Sequence, residues 1–448
     1  VIASATFKTE GDAAEAFDVS QANIDARTER FKIGDVDVAL LPKKTRGQTV
    51  TVLTSFKYGN LKAAEGRSVL NYLVEPMLSR GTRDLNRKEI ADRQTELKIQ
   101  GDVLAFTTTA PNVVPAIELM GSLVSSSTFP VKEFDQFVGQ LTTMLESRSD
   151  DPIMLGRDAM LKHFETYPEG DARNPTRNSY LLEGLKHVNR DEVYDWFVKA
   201  VSNTHGQVAV VGDFDPAAVK AALEKSVGNK KNADPAYDFE RYFSNYKPVA
   251  ADRILVNTPA KENAAIFARV DFPANVNDKD AAALIVADWV EGGGTGLSNR
   301  LVDRLRQKEG LSYGVGSRVR LPQFGNRASW NMSAIVAPQN ILKAEQCARE
   351  EIARVVKDGI TAEELAEAKR GIIESRAVSR AQDDYLAHSW VVFMDAGKTF
   401  ADSKKLEDAI GALTLDEVNA AVRKMLVEGN ITYVLAGDLA KAGIKLEK

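Results

Sequence analysis

Two homologous α+β domains, each a mostly antiparallel sheet with helices packed on one face, are the fold class this sequence predicts. Three observations predict it. A chain of 448 residues is too long for one core and suits two domains of ordinary size. Stretches of sequence repeat along it at nearly constant spacing. Long helix-period stretches alternate with short β-rich runs in pairs, not with the regular strand-helix beat of a parallel sheet.

The repeat is plainest where "NRDEVYDWFVKAVSNTHGQVAVVGDFD" lies over "TLDEVNAAVRKMLVEGNITYVLAGDLA". Asp191-Glu192-Val193 matches Asp416-Glu417-Val418, Lys199 matches Lys424, and Gly212-Asp213 matches Gly437-Asp438, each pair 225 residues apart. Glu146-Ser147-Arg148 matches Glu374-Ser375-Arg376 at a spacing of 228, as one small length change would give. Duplication of one domain accounts for this pattern. The expected domains are residues 1–228 and 250–448, joined by a polar linker, 229–249, that carries Pro235 and Pro248.

Three capping boxes mark helix starts: Asn189-x-x-Glu192, Thr361-x-x-Glu364 and Thr414-x-x-Glu417. In each, the first side chain takes a free backbone N–H while the glutamate reaches back to the cap's own N–H. The helix after Thr361 is expected to continue through "ELAEAKRGIIESRAVSRAQDDYLAHSWVVF". The runs "QVAVVGD" and "ITYVLAGD" read as strands stopped by Gly-Asp. "DVALLPKKTRGQTVTVLTSFKYG" and "ILVNTPAKENAAIFARVDFP" read as hairpin-like strand pairs.

Bulk composition removes several classes of function. Lys+Arg number 58 against Asp+Glu 63, a net charge of −5, so nucleic acid and anionic membrane, which need a basic face, are disfavoured partners. The longest apolar run, "AAALIVADWV", is interrupted by Asp288 and falls short of the roughly 18 residues of a membrane span. Cys347 is the single cysteine, which excludes an internal disulfide, and its helical surroundings predict a buried, inert thiol.

The stretch "EGGGTGLSNRLVDRLRQKEGLSYGVGS" (291–317) looks most like a site. A phosphate loop needs G-x-x-x-x-G-K-[ST], but Gly296 is followed by Leu297, Ser298 and Asn299. A dinucleotide loop needs a third glycine where Leu297 stands, and a strand where the preceding residues look helical. The glycines therefore read as a turn between helices, with Ser298 as N-cap, Leu301, Val302 and Leu305 facing the core, and Gly310 as the stop. Arg306 falls in the last turn of that helix, where a cation complements the dipole. Tyr313 opens the next strand and, taken alone, reads as a core residue. The histidines His163, His187, His205 and His388 include no pair three or four residues apart, so no helical zinc pair is present.

"SNRLVDRLRQKEGLSYGVGS" closely resembles a segment in the second half of the pitrilysin/insulinase peptidases, the inverzincins, where a glycine turn leads to S-x-R-L and then L-R-x-K-x-G-L-x-Y. The duplicated α+β halves and Gly-Asp endings are similar too, over nearly the full chain. The family implies an H-x-x-E-H zinc motif in the first half, ahead of M-L-x-x-G-T. Here that window reads "LNYLVEPMLSRGT": Met77, Leu78, Gly81, Thr82 and Glu75 match, while Tyr72 and Pro76 stand at the two histidine positions. Neutral tyrosine binds zinc poorly and proline has no ligand atom, so the motif is degenerate and this chain is expected to bind no cofactor. The third ligand of the family would fall near Glu146.

In the family an arginine and a tyrosine seven residues apart reach across a chamber to the zinc site, and Arg306 and Tyr313 match them in identity and spacing. The resemblance implies the non-zinc subunit of a heterodimeric metallopeptidase, inactive alone, whose zinc sits on a homologous partner. Arg306 and Tyr313 would bind an oligopeptide or unfolded segment and stabilise the oxyanion. It also implies strand addition by substrate peptide, for which "GDVLAFTTTA" (101–110) resembles the family's edge, with Leu104 in place of an asparagine. The alternatives are a catalytically silent scaffold subunit of a larger complex, or a glycine-loop presequence receptor, for which the glycine stretch is short. The start at Val1 and the likeness to exported bacterial paired subunits give periplasm as the expected compartment, with cytoplasm as the alternative.

Overall fold

The computed structural model describes residues 13–294 and 299–445, and these form two compact units. The first unit gathers the chain up to residue 138 with segments 188–241 and 376–404; the second gathers 139–187, 242–375 and the chain from 405. Each holds one sheet.

Sheet A comprises β1 (Glu29–Ile33), β2 (Asp35–Pro42), β3 (Thr49–Phe56), β4 (Gln100–Gly101), β5 (Ala105–Thr109) and β6 (His205–Gly212), in the order β1-β2-β6-β3-β5-β4. Sheet B comprises β7 (Arg253–Asn257), β8 (Ala264–Pro273), β9 (Ser312–Arg320), β10 (Arg327–Val336) and β11 (Thr432–Gly437), in the order β7-β11-β8-β10-β9. With β1 set aside, the two orders correspond strand for strand, which is the duplication written in topology. All pairings are antiparallel except β2 with β6 and β7 with β11.

The two expected hairpins are not formed. β6 lies between β2 and β3, and β11 between β7 and β8. The reason is burial: Val208, Ala209, Val210 and Val211 are fully buried, as are Val434, Leu435 and Ala436. Such unbroken apolar runs need cover on both faces and belong in a sheet centre. The stretch 101–110 does not present an open edge throughout either, because β4 pairs with it at Gln100–Thr107 and Gly101–Phe106.

All three capping boxes close as expected, with Asn189, Thr361 and Thr414 accepting from the N–H of Glu192, Glu364 and Glu417 and receiving each glutamate in return. The helix after Thr361 is not continuous. It runs Ala362–Ser379, breaks at residues 380–382, and resumes as Asp383–Asp395.

That break sends the second segment to the other sheet. Leu386, Ala387 and Trp390 of Asp383–Asp395 pack on Leu41, Ala209 and Val211 of sheet A. Lys43 Nζ donates to Asp383 (2.6 Å) and Arg241 Nη2 to Asp395 (2.6 Å), fixing both ends of the helix. The exchange is reciprocal. Helix Pro152–His163, from the first half of the sequence, packs Met160 with Val434, Ile254 and Phe267 of sheet B.

Sheet B is apolar on one face, where Ala328, Trp330, Met332, Ala334 and Val336 of β10 join β8 residues and helices Ala281–Asp288, Ile341–Asp358 and Leu415–Met425 in one core. Each large side chain buried there contributes about 1.5–3 kcal/mol. The other face is covered by Pro152–His163 over β7, β11 and β8. Contact there is close: a Cβ on Gly156 would stand 2.7 Å from Phe267 Cε2 and 2.9 Å from Ala436 Cβ. Gly156→Ala is expected to lower stability by about 1–3 kcal/mol through overpacking. An unchanged midpoint in urea unfolding would show that the helix simply shifts to accommodate the methyl.

Candidate functional site

The window expected to hold a degenerate zinc motif sits on helix Ser68–Leu78. Val69, Leu73, Val74, Met77 and Leu78 face the core, so Tyr72, Glu75 and Pro76 fall on the outer stripe, with Tyr72 46% exposed. Pro76 lacks the N–H that would reach the Tyr72 carbonyl, costing this helix one internal hydrogen bond. Desolvation, with the Asp102 carboxylate nearby, raises the Glu75 carboxyl above the ordinary glutamate range. A phenol and a pyrrolidine ring do not fit a zinc ion. Among the described residues no three His, Cys, Asp or Glu side chains group as a metal site.

The glycine stretch works as packing. Helix Ala281–Asp288 runs into a π-type turn, Trp289–Gly293. Asp288, buried at 7% exposure, accepts from Ser317 Oγ at 2.6 Å and from Val319 N at 2.8 Å, both on β9. A Cβ on Gly293 would lie 2.4 Å from Asp288 Oδ2, and one on Gly292 would lie 3.0 Å from Ser317 Oγ. The glycines let a carboxylate and the sheet's edge strand meet. Desolvation holds the Asp288 carboxyl above its ordinary range, opposed by these hydrogen bonds. The expected cap at Ser298 lies outside the described residues; Asn299 is the N-cap, its side chain accepting from Val302 N.

Leu301, Val302 and Leu305 are buried, as expected, and Gly310 stops the helix at φ +61°. Arg306 lies in a second π-type turn, Asp303–Lys308, and its side chain is exposed. Leu311 N donates to Leu305 O (2.9 Å), clipping this turn to the start of β9.

Tyr313 is not a core residue: it is 72% exposed. The register explains why. Gly314 pairs with Ile335 but Ser312 with Val336, leaving Tyr313 as the extra residue of a bulge. Ser312 Oγ holds the irregularity by donating to Ile335 O (2.9 Å) and accepting Gly314 N–H (3.2 Å). Alternation from Val315 and Val319, which pack on the core, would have buried Tyr313; the bulge turns it outward. Arg306 and Tyr313 thus leave from two adjoining, clipped elements, both exposed, with no side-chain partner among the described residues. Cys347, as expected, is buried in helix Ile341–Asp358.

Behind the glycines, Glu291 is 1% exposed and neither carboxylate oxygen has a hydrogen-bond partner among the described residues. Burial, then the Glu351 carboxylate, push its pKa up to about 8, against the pull of Arg300, with Asp288 and Glu364 adding to the rise. Arg300 is itself engaged by both oxygens of Glu364 at 2.9 Å. The only mark of Asp288 in the sequence is the break it makes in an apolar run.

Residues 187–372 match the family described as Peptidase M16 inactive domain, which bears out the pitrilysin-type resemblance. A protein of Helicobacter pylori named "Non-peptidase homolog YmxG" is 22% identical over 332 residues, 73% of this chain and 72% of that one. An uncharacterized zinc protease of Streptomyces coelicolor is 23% identical over 441 residues, 91% and 92% of the two chains. Among solved structures, the peptidase M16 inactive domain from Pseudomonas fluorescens superposes with a TM-score of 0.75 at 19% identity, covering 92% of this chain and 97% of that one. The periplasmic protease PqqL of Escherichia coli gives 0.69 at 15% identity, covering 95% of this chain and 46% of that one. These structural likenesses establish the fold.

A carboxyl whose folded pKa is raised contributes stability that is whole below its unfolded value, near 4.5, and lost as pH rises through about 8. Glu291→Gln should flatten that decline. Thermal unfolding from pH 5 to 9 is expected to show the variant gaining on the parent as pH rises, by on the order of 1–3 kcal/mol at the alkaline end. Parallel curves would mean that Glu291 finds compensation elsewhere.

Proposed function

We propose that this chain, a relative of the M16 peptidases carrying their inactive domain over residues 187–372, is the non-zinc subunit of a heterodimeric metallopeptidase. The observation that carries the reading is the pair Arg306 and Tyr313. An exposed tyrosine is turned out of its sheet by a bulge, and the arginine seven residues before it is exposed too, neither with a side-chain partner among the described residues. The absence of histidines at positions 72 and 76 supports a metal held by a homologous partner, where zinc would polarise the scissile carbonyl.

From this chain, the Tyr313 hydroxyl donates a hydrogen bond to the oxyanion that develops as that carbonyl is attacked. Arg306 offers a permanently charged, planar set of donors to substrate carbonyl oxygens and holds the peptide in place. The substrate is an oligopeptide or unfolded segment. The bulge at Tyr313 supports this division, since bulges commonly re-aim side chains beside active sites. For compartment we infer the periplasm, which the name of the Escherichia coli neighbour supports.

The name of the Helicobacter relative supports the second reading, a silent scaffold. Mixing the chain with its zinc-bearing partner and following cleavage of a quenched peptide separates the two. Tyr313→Phe is expected to lower kcat by about 10²–10³ with little change in KM, because its bond matters most in the transition state. Arg306→Ala should raise KM as well. Full activity from both variants in a verified complex would sink the shared-site reading and leave the scaffold reading in its place.

A further inference from the structure

The second unit contains a cavity of about 910 Å³ over the polar face of sheet B, between β9, β10, helix Pro152–His163 and the segment 173–178. Six arginines line it: Arg157, Arg173, Arg269, Arg318, Arg320 and Arg327. The one acidic residue lining it among the described residues, Asp158, accepts the backbone N–H groups of Asn178 (3.0 Å) and Ser179 (2.7 Å). In a chain of net charge −5, this is a concentrated positive surface.

The arginines divide into two sets. Arg269 and Arg327 grip the buried Asp271 carboxylate from either side (2.8 and 2.7 Å), and Arg173 is held by Asp171 (2.6 Å). Arg157, Arg318 and Arg320 are exposed, with no hydrogen-bond or ion-pair partner among the described residues. Arg320 stands opposite Ser329 and Arg318 opposite Asn331, so both rise from the same face of β9. Two residues along a strand span about 6–7 Å, the repeat between alternate side chains of an extended peptide.

Carboxylates of a peptide suit this surface better than a lone small anion. The volume far exceeds one phosphate, the unpaired guanidinium groups sit on two separate elements, and Leu161, Phe267 and Leu321 add apolar lining between them. Guanidinium forks take carboxylates in a bidentate way. We propose that this cavity binds peptides bearing acidic side chains at alternate positions, and that acidic peptides are the substrate class of the enzyme described above. The substrate part rests on that reading; the binding part rests on this surface alone.

The test uses the full chain without its partner and two fluorescein-labelled hexapeptides, Glu-Val-Glu-Val-Glu-Val and Gln-Val-Gln-Val-Gln-Val, read by anisotropy. The glutamate peptide should bind about tenfold or more tighter at low salt, with the gap closing as salt screens it. The double variant Arg318→Ser, Arg320→Ser should abolish the gap, and the double lysine variant should restore part of it. Equal affinity for the two peptides, or a double serine variant that still discriminates, would overturn the proposal. So would displacement of the glutamate peptide by millimolar inorganic phosphate at matched ionic strength, which would mark a small-anion site. Competition between the two peptides for cleavage by the verified complex then tests the substrate claim: equal kcat/KM with intact discrimination in binding would sink that claim alone. Failure of the Arg306 and Tyr313 variants to alter cleavage would sink the shared-site reading and leave the binding result standing.

Discussion

The carboxylate of Asp288 is the contact on which the edge of the second unit's sheet depends. Among the described residues β9 is the last strand of its sheet, hydrogen-bonded to β10 on one side only. Asp288 takes up Ser317 and Val319 from the helix layer and thereby holds the strand that presents Tyr313, Arg318 and Arg320. A buried acid is costly unless its lone pairs are met, and here the strand meets them. The glycines just after it are the steric condition for this contact, since any side chain on Gly293 would occupy the space of the carboxylate. Helix, glycine run and strand therefore form one mechanical element.

How much of this could be read from the residues varied with the range of the physics. Capping boxes are local, and all three close as the spacing dictates. Leu301, Val302 and Leu305 follow helical period and are buried. Strand neighbours are a long-range property, so the runs around β2–β3 and β7–β8 looked like hairpins although a distant strand divides each. Tyr313 was legible as a candidate site residue only through the resemblance. Alternation with Val315 and Val319 places it in the core, and the single inserted register step that reverses this leaves no mark in composition. The arginine cavity was hidden for a similar reason: its arginines lie on five segments from 157 to 327, and only Arg318 and Arg320 show their shared face by spacing.

Sheet B also shows how one face of a sheet can be kept open. Pro152–His163 shields β7, β11 and β8, and the polar side chains Ser329, Asn331 and Ser333 on β10 lie beyond it. Arg327 anchors the boundary, bonding Asp271 beneath and Thr166, Ser244 and the Phe164 carbonyl at the rim. Most of its donors are committed to structure, so the exposed arginines beside it remain the ones able to meet a ligand.

The helix exchanged into each unit has a consequence for the order of events during synthesis. Sheet A gains its last strand at residue 212, yet Leu386, Ala387 and Trp390, which close its second face, leave the ribosome about 170 residues later, roughly 10–30 s at ordinary elongation rates. Until then Leu41, Ala209 and Val211 lack the cover that Leu386, Ala387 and Trp390 supply. The first unit therefore cannot mature as an N-terminal domain usually does, before the rest of the chain is made. Its completion waits on the emergence of nearly the whole polypeptide, and the nascent chain carries an apolar sheet face that a chaperone could hold in the interval.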